Sequence, residues 1–74
     1  MTKNELGQIL KDMYNNAPKG ETAAMIHLFG IKYSEKIKES KVSFKDIAIA
    51  AGIGESYGTE ISKGAKLANY VTIK

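Results

Sequence analysis

Apolar residues recur at helical spacing along most of this chain. Leu6, Ile9, Leu10, Met13 and Tyr14 fall three or four apart and predict a helix over 6–14, opened by a Thr2–Glu5 capping box. Asn15-Asn16-Ala17-Pro18-Lys19-Gly20 is a loop by its composition. A second helix begins near Glu21 or Thr22. Ala23, Ile26, Phe29, Tyr33 and Ile37 define one face and Met25, Leu28 and Ile31 widen it, which makes this segment the buried spine. Gly30 interrupts the pattern; the reading favours a break or bend there, over close packing inside one long helix.

Lys38-Glu39-Ser40-Lys41 is a polar helix end. Ser43-Phe44-Lys45-Asp46 is a variant capping box that opens a third helix running through Ala51, with Val42 placed to staple onto Ile47. Gly52-Ile53-Gly54-Glu55 is a turn. The last helix starts at Glu55 or Ser56 and can turn Tyr57, Ile61, Ala65, Leu67 and Ala68 inward. Tyr70-Val71-Thr72-Ile73-Lys74 alternates and is rich in β-branched residues, so it reads as a short terminal strand or an extended tail on the core. The expected fold is all-α, four to five short helices.

At 74 residues the chain is one domain, 1–74, with a thin core. Hydrophobic content of 43% and charged content of 26% fit a soluble globular domain. No run of 18 apolar residues offers a membrane span. Met1-Thr2-Lys3-Asn4-Glu5 lacks the apolar stretch of a signal peptide, so the expected location is cytoplasmic. Without cysteine there is no disulfide and no thiolate metal site. The net charge of +3 suits a weak polyanion partner. All the basic residues are lysines, which contact phosphates well but read guanine less readily than arginine does.

Enzyme chemistry finds no footing. His27, the only histidine, has Ala23, Ala24, Gly30 and Ile31 as its helical neighbours, and none of them completes a ligand set or a general base. Gly52, Gly54 and Gly58 miss the phosphate-loop spacing because Tyr57 stands where the third glycine belongs. No catalytic residue, cofactor or metal is expected. Lys32, Lys36, Lys38 and Lys41 interleave with Glu35 and Glu39, the pattern of a solvated helix face.

Asp46-Ile47-Ala48-Ile49-Ala50-Ala51-Gly52-Ile53 resembles the first helix and turn of helix-turn-helix DNA-binding families. Small Ala48 stands four before the turn glycine, with branched residues at Ile47 and Ile53, and Thr59, Ile61, Ser62 and Lys63 echo the second helix. The resemblance covers Ser43 to Gly64. Gly54-Glu55-Ser56 lengthens the turn by about two or three residues relative to the family pattern. Gly58 falls where that pattern has a buried branched residue. The whole chain also resembles small bacterial proteins described as helix-turn-helix-like.

The resemblance implies DNA binding, as a small transcriptional regulator or a DNA-recognition component, through the helix after Gly52-Gly54. The residues it would bring to DNA are Ser56, Tyr57, Thr59, Glu60, Lys63 and Lys66. Lys63 and Lys66 share a helix face and suit phosphates, whereas Glu60 suits a cytosine amino group or the helix surface. A reader this small needs a homodimer or a larger protein partner to reach useful affinity. The alternative function is a helical protein-interaction module, its interface an apolar patch from the second helix or from Leu67 to Ile73.

Overall fold

The computed structural model describes residues 1–73. Four α-helices follow in order: α1 (Lys3–Asn15), α2 (Thr22–Ser40), α3 (Phe44–Ala51) and α4 (Gly58–Leu67), with a 3-10 turn at Glu55–Tyr57 between the last two. The all-α expectation holds, and no strand occurs among the described residues. The largest packing surfaces join α2 to α4 and α1 to α3, so helices two apart in sequence lie together.

Local chemistry sets the ends. The Thr2 hydroxyl accepts from the Glu5 amide at 3.1 Å while the Glu5 carboxylate accepts from the Thr2 amide at 2.8 Å, completing the expected capping box. At α3 only half of the box forms: Ser43 Oγ accepts from the Asp46 amide at 3.0 Å. The other end of α3 closes on Gly52 at φ 75°. The Gly52 amide donates to the Ile49 carbonyl at 2.9 Å and the Ile53 amide to the Ala48 carbonyl at 3.3 Å. This two-bond cap leaves Ile53 packed against the core. It is the physical content of the Ala48–Gly52–Ile53 spacing.

The core consists of Leu6, Leu10, Ile26, Phe29, Ile37, Ile47, Ala48, Ala51 and Ile61, all buried. Each large aliphatic or aromatic side chain among them is worth about 1.5–3 kcal/mol relative to exposure. Ile9, Met13, Tyr14 and Tyr33 pack around its edge. Ala23 and Leu67, both expected to face inward, are exposed.

Gly30 does not break the helix: α2 runs unbroken from Thr22 to Ser40. The glycine serves the crossing with α4. A Cβ at Gly30 would stand 2.5 Å from the Ile61 carbonyl oxygen and 2.9 Å from the Gly64 Cα, and one at Gly64 would run into the His27 carbonyl. Two facing glycines let the backbones touch, and the close approach overrides the helix-breaking tendency of a single glycine.

Of the two readings of the C-terminal segment, a short strand or an extended tail on the core, the strand does not form. Asn69, Tyr70 and Val71 turn their amides back onto the carbonyls of Lys66 and Leu67, and among the described residues no second strand stands beside them. Lys74, the last residue of that expected segment, lies outside the described residues. No helix among the described residues is long and apolar enough to cross a membrane.

Candidate nucleic-acid interface

Six residues, 52–57, separate α3 from α4, more than the three or four of a compact helix-turn-helix turn. The added length lets the chain double back, so that α4 begins against the beginning of α3. A Cβ at Gly58 would lie 2.9 Å from the Lys45 amide nitrogen and 3.2 Å from the Phe44 carbonyl carbon. This contact explains why glycine replaces the branched residue of the usual pattern: the first turns of two helices share that space.

Both helix N-termini therefore open at one end of the molecule. Around them lies an open cleft of about 480 Å³ lined by Lys45, Glu55, Ser56, Gly58, Thr59 and Ser62. The hydroxyls, Lys45 and the positive ends of two helix dipoles make a surface that favours anions. Lys45 stands at its rim, 3.6 Å from Glu55 in an exposed pair. Such a pair contributes little and opens readily to a competing phosphate. Lys63 and Lys66 extend the exposed face along α4.

The six expected residues divide into two groups. Ser56 and Thr59 line the cleft, while Lys63 and Lys66 are exposed and fall, by helical spacing, one turn beyond Thr59 and Ser62. Tyr57 is half-buried, its ring edge-on to Tyr14 at a centroid distance of 5.7 Å, and it packs against the core. Glu60 is half-buried and faces α2, where His27 Nε2 donates to its Oε1 at 2.8 Å. Its other oxygen holds the Lys63 ammonium at 3.1 Å. The imidazole hydrogen bond first, and the lysine second, keep the Glu60 carboxyl below the usual carboxylate range.

Lys45 and Ser62 join the cleft from outside the expected six. Ser62 lies one turn after Thr59, so helical spacing alone places it on the same face. Lys45 comes from α3, and only the doubling-back of the turn brings it there. The His27–Glu60 contact spans 33 positions and follows from the glycine crossing: His27 precedes Gly30 by three residues and Glu60 precedes Gly64 by four. Gly30 and Gly64 were the available signal, since two glycines inside amphipathic helices mark a place where helices meet.

On the basic stretch of α2, Lys36 pairs with Glu39 at 3.9 Å and Lys32 lies 5.7 Å from the centre of the Tyr33 ring. Both arrangements belong to a solvated helix face.

A family model described as HTH-like domain matches residues 2–74 of the chain. No curated protein and no solved structure is significantly similar to it.

Proposed function

The chain belongs to the HTH-like domain family, and from that premise we propose that it binds DNA through the surface where α3 and α4 begin. The observation that carries the reading is the convergence of two helix N-termini with Lys45, Ser56, Thr59 and Ser62 on one cleft, continued by Lys63 and Lys66. The hydroxyls anchor phosphates, and the lysines widen the contact along the backbone. With no arginine in the chain and Glu60 engaged by α2, base reading is limited, and shape and phosphate spacing dominate recognition. The protein acts as a small cytoplasmic regulator or as the DNA-recognition part of a larger assembly. Pairing with a second copy or another protein supplies the affinity that one short helix lacks.

Amide chemical shifts followed while the protein is titrated with a mixed-sequence duplex test this reading, at low and near-physiological salt. Shifts are expected at Lys45 and across Glu55 to Lys66, with a salt slope corresponding to about two or three phosphates. A spectrum unchanged at low salt overturns DNA binding by the isolated chain.

A second reading, a protein-interaction module, has its own observation. Leu67, Tyr70, Val71 and Ile73 are all exposed, Tyr70 to 84%. Four large apolar side chains within seven positions exceed the scatter of single exposed residues on an ordinary surface. If the duplex leaves the spectrum unchanged while raising the protein concentration moves Leu67 to Ile73, this reading replaces the first.

A further inference from the structure

Behind the exposed lysines of α4 lies a chain of three ionisable side chains that runs inward to α2. The Lys63 ammonium is 3.1 Å from Glu60 Oε2, and Glu60 Oε1 accepts from His27 Nε2 at 2.8 Å. The side chain of Lys63 is 61% exposed, that of Glu60 26% and that of His27 32%. The order is thus a solvated cation, a half-covered carboxylate and a half-covered imidazole that solvent still reaches.

We infer that His27 is a positioning residue for the DNA-facing surface: it holds Glu60, Glu60 holds Lys63, and protonation of the imidazole releases Lys63 for phosphate. The inference deepens the DNA-binding reading and rests on it for its functional consequence. With His27 neutral, Nε2–H donates to Glu60 and Nδ1 carries the lone pair. The carboxylate and the ammonium then cancel, and the three groups sum to zero charge. A proton taken from solvent enters at Nδ1 and makes the sum +1. Glu60 now faces two cations and its hold on Lys63 weakens, because the buried side of the carboxylate has the less screened partner.

The surroundings isolate the relay. From α4 the charged groups facing His27 are Glu60 and, behind it, Lys63. On α2 itself the residues one turn away are Ala23, Ala24, Gly30 and Ile31, all uncharged. Among the described residues α1 and α3 give His27 no hydrogen bond or ion pair. The Gly30–Gly64 crossing brings the two helices close enough for the imidazole and the carboxylate to meet.

Two measurements on the full chain decide the inference. In the free protein, the side-chain methylene signals of Lys63 are followed by NMR while His27 is titrated. They are expected to move with the His27 midpoint, and to stop doing so in Glu60→Gln. Lys63 signals indifferent to the His27 midpoint in the unsubstituted protein overturn the relay. Affinity for a mixed-sequence duplex is then compared at about pH 7.5 and about pH 5.5 at fixed low salt. The Kd is expected to fall about threefold on acidification, and His27→Gln to lose most of that gain. A pH response in His27→Gln equal to that of the unsubstituted protein overturns the functional half. If the duplex fails to bind at both pH values, the DNA reading fails, and the first measurement alone judges the relay.

Discussion

In the turn after α3, Gly52 and Gly54 have φ of 75° and 100°, and a Cβ at Gly52 would meet nothing within 4 Å. At the crossing of α2 and α4 the situation is reversed. Gly30 and Gly64 lie inside regular helices, and a Cβ at either would strike backbone of the opposite helix. One region needs a backbone conformation that costs L-residues roughly 1–2 kcal/mol, with space to spare. The other needs space, with an ordinary backbone. Glycine thus answers two unrelated demands here, and the functional surface depends on both: the turn brings α4 back to α3, and the crossing sets His27 against Glu60.

The largest break in this comparison comes at the crossing. Gly64→Ala adds a methyl group against the His27 carbonyl, which cannot rotate away as a side chain could. Alanine is the better helix former by about 1 kcal/mol, yet overpacking against fixed backbone outweighs that, for a net loss of about 3 kcal/mol. Gly30→Ala meets the Ile61 carbonyl in the same way and costs about 2 kcal/mol. Urea midpoints measure both. The double substitution should cost less than the sum, because helices already parted by one methyl make room for the second. If Gly64→Ala instead raises stability, as it would at a solvent-facing helical glycine, the close crossing is refuted.

Gly52→Ala sharpens the contrast from the other side. No neighbour obstructs its methyl group, so the cost is conformational alone, about 1 kcal/mol, and Gly52→Asn should recover part of it because asparagine tolerates the left-handed region. A loss comparable to that of Gly64→Ala would mean that the turn is packed as tightly as the crossing.

The same contrast explains what was legible in the sequence. Gly52 could be read correctly because its neighbours declare it: an apolar helix precedes it, Ile53 follows it, and the cap couples the three through local hydrogen bonds. The boundaries of α3 and the capping box at Thr2 were legible for the same reason. Gly30 has no such local context. Its reason lies at Gly64, 34 positions away, and in isolation its pattern is that of a helix break. The accessible residues Ser56, Thr59, Lys63 and Lys66 followed from helical spacing. The inward turn of Glu60 did not, because it depends on which helix α4 lies against. Tyr57 was open to two readings, inward-facing and DNA-facing, and the structure packs its ring against the core and Tyr14.

A third position has the backbone of the turn without its residue. Lys41 ends α2 in the left-handed region at φ 56°, its amide donating to the carbonyls of Ile37 and Lys38 at 3.2 Å each. It is the only non-glycine with positive φ among the described residues. Two terms oppose each other in Lys41→Gly. Relief of the strained φ stabilises by about 1 kcal/mol. Loss of a cation at a helix C-terminus, and the added freedom of glycine in the unfolded chain, together take back about half of that. The expected result is a gain of about 0.5 kcal/mol, seen as a higher urea midpoint at unchanged slope. Lys41→Asn removes the charge while retaining a side chain, and should fall between the two. A loss of stability in Lys41→Gly with none in Lys41→Asn would show that chain entropy, not left-handed strain, governs this end of α2. The conformational demand that separates the turn from the crossing would then be smaller than the argument at Gly52 requires.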